Sequence, residues 1–334
     1  MDQISAIRDS NLAAPIVHSI PLFYREGALP TLDRPSYVRL ASGIASVGNY
    51  FAVVQDDANF IALIDTNAEK ITAITLPAGK DGKRQFDDVR GNKKFKMDLE
   101  SCVLISHEDQ ELIITFGSGS NSFRRENVVI LRNLSTEPRP EVYSARELYK
   151  ALRSAKDFAG SELNIEGAVF LDKKIRLFNR GNGSASEDIK AVNASCDLDW
   201  QSLYAYLTNP DEQPPILQNI VGYQLGTLGN LPLGFTDATD CNGKLFFSAA
   251  AEDSPDAVTD GEVSGSVLGI LDEQNKIRWA EITYVDGNQF NGKVEGITFV
   301  GNETNRIFVV VDQDSPDKAS ELCEIRLLGP WFEV

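Results

Sequence analysis

The sequence predicts an all-β fold, a five-bladed β-propeller closed by an N-terminal strand, with six blades as the alternative. Three observations predict it. A short unit recurs along the chain, at Arg39–Ala45, Met97–Val103, Leu163–Val169, Gly234–Ala238 and Lys293–Phe299. After each unit come a turn, an apolar strand and a polar loop, as where Leu112–Phe116 runs into Gly117–Asn121. The strands are short, alternate with period two and are bounded by Gly, Asn and Asp. The intervals are long for one blade but fit one with inserted loops.

The elements follow in order. Residues 1–13 are polar and read as a frayed or helical extension ahead of a single domain over 14–330. Ile16–Tyr24 alternates as a strand with no neighbour before it in sequence, and the last unit offers only Glu295–Val300, Arg306–Val311 and Leu322–Leu327. The early strand is therefore expected to complete the last blade. The first blade reads as Ser42–Gly48, Tyr50–Gln55, Phe60–Asp65 and Lys70–Leu76, and Gly79–Phe95 as an exposed loop. The second reads as Glu100–Ser106, Glu111–Phe116, Glu126–Leu131 and Pro140–Tyr143. Ser144–Ala159 has helical spacing, with Leu148, Leu152 and Phe158 as the apolar stripe. The third blade runs from Glu166 to about Leu228, with insertions at Ser184–Lys190 and Thr208–Pro215. The fourth starts near Phe235 and carries an acidic loop, Glu252–Gly265; the fifth runs from Glu295 to near Leu328.

Composition narrows the partners. Of 334 residues 42% are hydrophobic, ample for a core. The net charge of −17 argues against a nucleic-acid backbone or an anionic membrane, both of which need a basic face. No apolar run approaches the ~18 residues of a membrane span, and Met1–Arg8 has no basic stretch followed by an apolar core. The chain reads as cytoplasmic, or periplasmic if a leader precedes it. Cys102, Cys196, Cys241 and Cys323 lack metal-ligand spacing and read as buried thiols. His18 and His107, the two histidines, fall outside any motif for a Ser/His/Asp triad or a zinc site.

The chemistry is expected where the units meet. In a propeller the first strand of every blade lines the central channel, so Ser42, Glu100, Glu166, Thr236 and Glu295 would form a ring, with Asp237 as the alternative to Thr236. Three carboxylates so close repel one another, which raises their pKa values or calls for a cation. Oxygen-only donors suit a hard ion, Ca²⁺ with Mg²⁺ as the alternative. Asp98, Asn164 and Lys293 stand two residues earlier on the same strand faces. Loops after the second strands would bring Asp56, Asp57, Ser118, Asn121, Arg124, Arg125, Arg180, Asn182, Glu252, Asp253, Asp312 and Asp314 to the same end. Arg124, Arg125 and Arg180 are candidates for orienting an anion, and Asp98 or Asp312 for the base.

At the level of this ring the chain resembles the five-bladed calcium-dependent nucleotidase (apyrase) propellers, in which Ser and Glu residues of the inner strands hold a central Ca²⁺. Their Ser-Glu-Glu-Ser-Glu order is met here by Ser42, Glu100, Glu166, Thr236 and Glu295, with Thr in place of the fourth Ser. The Glu166-Gly167 and Glu295-Gly296 pairs are also similar to those of esterase-like phytase propellers. The resemblance implies a metal-dependent hydrolase of a phosphoester or other small anionic substrate. The alternative is a non-catalytic binding or scaffold propeller in which the ion ties the blades together.

Overall fold

The computed structural model describes residues 3–120, 123–134, 136–182, 189–253, 261–272, 276–313, 315 and 317–333. Its strands are β1 (Gln3–Arg8), β2 (Ala14–Pro21), β3 (Ala41–Val47), β4 (Tyr50–Gln55), β5 (Phe60–Asp65), β6 (Ile71–Thr75), β7 (Leu99–His107), β8 (Gln110–Gly117), β9 (Asn127–Arg132), β10 (Arg139–Ser144), β11 (Ile165–Leu171), β12 (Lys174–Asn179), β13 (Asn193–Asp199), β14 (Gln218–Gln224), β15 (Thr227–Leu228), β16 (Leu231–Cys241), β17 (Lys244–Glu252), β18 (Val263–Leu271), β19 (Ile277–Tyr284), β20 (Lys293–Thr298), β21 (Arg306–Asp312) and β22 (Glu321–Arg326). Helices α1 (Arg146–Ser154), α2 (Lys156–Ala159) and α3 (Trp200–Thr208) interrupt them.

The strands pair as antiparallel neighbours in consecutive runs: β3 to β6, β7 to β10, β11 to β14, β16 to β19, and β20 to β22. The first strands of these runs pack side by side, β3 on β7, β7 on β11, β11 on β16, β16 on β20 and β20 back on β3. Apolar side chains fill the space between successive runs. Val103, Ile114 and Ile130 of one meet Ala168, Ile175 and Leu177 of the next, and Ala45, Ala52 and Val54 meet Leu99, Cys102 and Ile113.

Strand β2 pairs antiparallel with β22, Ile16 opposite Ile325 and Ser19 opposite Cys323, so an N-terminal strand completes the last run. The first residues correct the sequence reading. Residues 3–8 form strand β1, whose first half pairs in parallel with β14 and whose second half pairs in parallel with β19. That bridge, with β2 on β19, joins three runs into one 14-stranded sheet. Polarity misled because an edge strand needs only one buried face: Ile4 and Ala6 turn inward between exposed neighbours.

Three further differences matter. The chain packs beyond Leu328, with Trp331 buried against Phe246. Helix α3 is capped by Asp199, whose carboxylate accepts from the Ser202 N–H, and it buries Trp200, Leu203 and Leu207. The loop over residues 79–95 is anchored, with Gln85 and Phe86 buried. Helices α1 and α2 lie where the spacing places them, with Leu148, Leu152 and Phe158 inward. All four cysteines are buried.

Candidate functional site

Each inner strand breaks register at one residue. The pairing skips between Ala41 and Gly43, Leu99 and Ser101, Ile165 and Gly167, Phe235 and Asp237, and Val294 and Gly296. The skipped residues are Ser42, Glu100, Glu166, Thr236 and Glu295. A bulge leaves one residue out of the ladder and re-aims its side chain, so the recurrent polar residue is the one freed from the pleat. The residue after it faces the next inner strand. A Cβ on Gly167 would stand 3.0 Å from Ala238 N, and one on Gly296 2.9 Å from Ile44 N. The Glu-Gly pairs are therefore bulge and close approach together.

Ser42, Glu100, Glu166 and Glu295 line one axial cavity of about 300 Å³. Thr236 departs from the expected ring: its hydroxyl donates to Ser248 Oγ at 2.8 Å, inside its own sheet and outside the cavity lining. Asp237, the alternative, also turns elsewhere, accepting from Ile297 N at 2.9 Å on the next inner strand.

The residues two places before the bulges serve the ring. Asn164 donates to Glu166 Oε1 at 2.7 Å, and Lys293 Nζ lies 2.7 Å from Glu295 Oε1. Lys96, which the sequence reading missed, joins Asp56 to Asp98, standing 2.5 Å from Asp98 Oδ1. Its signal was the alternation Lys96, Asp98, Glu100, three charges on one strand face. Asp98 takes further bonds from Ser118 and from Arg125 Nη1, the latter at 3.0 Å. Arg180 reaches Glu252 at 2.6 Å and Glu166 at 3.5 Å, through space left by Gly234, where a Cβ would meet its side chain at 2.9 Å.

Carboxylates remain in excess. On the cavity wall ten acids, Asp56, Asp57, Asp87, Asp88, Asp98, Glu100, Glu166, Glu252, Glu295 and Asp312, face five bases, Lys93, Lys96, Arg125, Arg180 and Lys293. Glu100 is the unmatched one: among the described residues no hydrogen bond or salt bridge reaches its carboxylate. The Oε2 atom of Glu295 is buried and lacks a donor. Oxygens of Asp56, Asp98 and Glu100 lie within 4.8 Å of one another.

The electrostatics follow. Burial, then the carboxylates of Asp56, Glu166 and Asp98, raise the Glu100 pKa well above its usual value. Burial pushes Asp56 up to about 7 against the pull of Lys96, and Glu166 up to about 8 against the pull of Arg180. Burial would raise Asp98 and Glu252 too, but cations overcome it: Lys96 and Arg125 hold Asp98 low, and Lys293 and Arg180 hold Glu252 at about 2.

Of the remaining candidates, Asp312 lines the cavity wall, as do Asp57 and Asn182. Arg125 and Arg180 line it too, but as partners of carboxylates. Arg124 does not line it; its guanidinium lies over the rings of Phe95 at 4.8 Å and Phe123 at 5.2 Å. Asn121 and Asp314 fall outside the described residues, as do 184–188 of one predicted insertion and 254–260 of the acidic loop. His107 accepts from Trp200 Nε1 at 3.1 Å, outside the cavity lining.

Residues 37–327 match the model of a family of unknown function, DUF6929. The chain belongs to that family. No curated protein sequence matches this DUF6929 chain. Among solved structures it is similar to an exo-β-1,3-galactanase from Phanerochaete chrysosporium, with 9% identity over 92% of this chain and 64% of that one, at a TM-score of 0.50. A glutaminyl cyclase from Myxococcus xanthus matches over 98% of this chain and 99% of its own, with 12% identity and a TM-score of 0.47. At 9% identity the likeness to the galactanase concerns fold alone, and the fold is all-β and propeller-like. Among the described residues no helix is long and apolar enough to cross a membrane.

Proposed function

We propose that this DUF6929 chain is a five-bladed propeller that holds a hard divalent cation, Ca²⁺ in preference to Mg²⁺, in its axial cavity and hydrolyses an ester of a small anionic molecule there. The closed succession β3, β7, β11, β16, β20 supports the blade count. The observation that carries the cation is Glu100, a carboxylate without a partner beside Asp56 and Asp98 in a wall already short of positive charge. All donors are oxygens, as a hard cation requires. Asp56, Asp98 and Glu100 would hold it, with Ser42, Glu166 and Glu295 around them.

When bound, such an ion polarises an ester oxygen and makes a water more acidic. The chain's own groups do the rest. Lys96 and Arg125 keep Asp98 ionised and oriented. Asp312, on the cavity wall, is the candidate to take the proton of the attacking water. Arg180 and Lys293 fix Glu252, Glu166 and Glu295 in place. A bare anion would meet net negative charge, so the substrate's anionic group needs the cation to enter.

The second reading is a binding or scaffold propeller, favoured by Lys96 and Lys293, which already act as internal counter-ions. Calcium titration of wild type and Glu100→Gln, read by melting temperature and calorimetry, tests the cation: it should stabilise wild type alone, by about 2.7 kcal/mol at a hundredfold excess over Kd. Equal behaviour of the two proteins removes the cation site. A phosphoester screen with wild type loaded with Ca²⁺ then separates enzyme from scaffold.

A further inference from the structure

The axial cavity is not polar throughout. Among the described residues that line it, only Leu40, Phe86 and Val89 are apolar, and they gather beside the acids that follow β4: Asp56 N donates to Leu40 O at 3.0 Å and Phe86 N to Asp57 O at 2.8 Å. Leu40 stands two residues before a bulge, where the other inner strands carry Asp98, Asn164, Gly234 and Lys293. Its φ is 35°, a left-handed conformation that a bulky side chain enters only at a cost. Asp98 shares that conformation, at φ 60°, but a short polar side chain tolerates it. Strain of this kind persists where a site needs the side chain that it places.

Val89 is 92% exposed, yet its loop is pinned on both sides. Arg39 donates to Gln85 Oε1 at 2.8 Å and to Asp87 Oδ2 at 3.1 Å, Gln85 Nε2 donates to Asp33 O at 2.7 Å, and Asn92 Nδ2 donates to Gln85 O at 2.9 Å. Phe86 lines the cavity from a buried position. The charges alongside already have partners: Arg39 takes Asp57 and Asp87, Arg90 takes Asp87 at 3.1 Å and Asp33 at 3.2 Å, Lys93 takes Asp88 at 3.7 Å, and Lys96 takes Asp56. What this side of the cavity leaves for a ligand is the hydrocarbon of Leu40 and Val89.

We infer that the hydrocarbon part of the cavity's ligand lies against Leu40 and Val89. The inference rests on the proposed function for the anionic end, and it adds the substrate class: an alkyl or aryl ester of the anionic group. Asp56, one of the three carboxylates that would hold the cation, is bonded to Leu40 through its backbone, so an ester oxygen on the ion has the apolar patch beside it. The volume of about 300 Å³ limits the substituent to one ring or a short chain.

The test is binding without turnover. Methyl-, butyl- and phenylphosphonate are titrated calorimetrically, with calcium, into wild type, Leu40→Gly and Val89→Ser. Benzyl alcohol is titrated without calcium into wild type and Glu100→Gln, followed by the methyl NMR signals of leucine and valine. Wild type should bind the butyl and phenyl probes about tenfold tighter than the methyl one, and either substitution should cut that preference to about threefold or less while leaving methylphosphonate unaffected. Leu40→Gly should keep or raise the melting temperature, since glycine adopts this backbone freely; that separates a side chain held for a ligand from one held for packing. Val89 is exposed, so Val89→Ser keeps its fold. Benzyl alcohol should move the Leu40 and Val89 signals in wild type and Glu100→Gln alike. Equal affinity for the methyl and phenyl probes in wild type, a preference that survives both substitutions, or unmoved Leu40 and Val89 signals overturns the patch. If no phosphonate binds while benzyl alcohol moves those signals, the proposed function fails and the patch stands.

Discussion

Arg180 and Glu252 meet at 2.6 Å across two sheet runs, both side chains almost wholly buried. Arg180 follows β12 and Glu252 ends β17, so the pair fastens one wall of the cavity to the next. A buried pair is destabilising to break, because the surviving charge is left without a partner. Arg180→Met should lower stability by about 3–5 kcal/mol in urea unfolding, and Arg180→Met/Glu252→Leu should recover part of that loss.

The glycine after two of the three glutamate bulges makes a second prediction. Gly167→Ala places a methyl group against the Ala238 backbone, and backbone cannot rotate away as a side chain can. The expected loss is about 1–3 kcal/mol, measured by thermal or urea unfolding. A Ser101→Ala change in β7, where the equivalent residue already has a Cβ, should fall well below it.

The pH dependence has a definite sign. Asp56 and Glu166 are raised to about 7 and about 8 by burial, so between their unfolded values near 4 and these folded values the native state holds more protons than the unfolded one. Stability without metal therefore falls as pH rises through that window. Glu252, lowered to about 2, acts oppositely: its contribution is full above about 4.5 and is lost as pH falls toward 2. Without metal, melting temperature should be higher at pH 5.5 than at pH 8.5. Added Ca²⁺, which needs ionised carboxylates, should narrow that gap from the alkaline side. A flat profile without metal would show the carboxylates to be solvated.

Truncation separates the two N-terminal strands. Removing residues 1–9 takes away β1, an exposed bridge between β14 and β19, and should lower the melting temperature by only a few degrees. Removing residues 1–22 also takes β2 with its buried Ala14 and Ile16, leaves β22 as an open edge and should yield aggregated protein. Soluble recovery and circular dichroism report both.

The frame and much of the site were legible because they repeat. A bulge at the same point of successive inner strands leaves the same imprint, a polar residue before a small one, and Glu100, Glu166 and Glu295 stand in the cavity for that reason. Thr236 carries the imprint but not the direction, since Ser248 offers its hydroxyl a partner inside the sheet. Lys96 and Glu252 were harder to assign because their importance lies in partners distant along the chain. The strand β1 was hidden because edge pairing needs few apolar residues. Arg124 looked like a clamp, yet whether it faced the cavity or Phe95 depended on packing that no local pattern encodes.

The pairing of β2 with β22 has a consequence for how the molecule is made. Ile16 leaves the ribosome 325 − 16 = 309 residues before its partner Ile325, so the early strand must wait, unmatched, while the sheets between them form. Folding is then governed by a contact of very long sequence separation, and the interval before closure is when an exposed β2 or a neighbouring chain's β22 can find the wrong partner. An exchange of β2 between two copies would satisfy every hydrogen bond of the closed form, which makes a strand-swapped dimer the expected misassembly product of this chain.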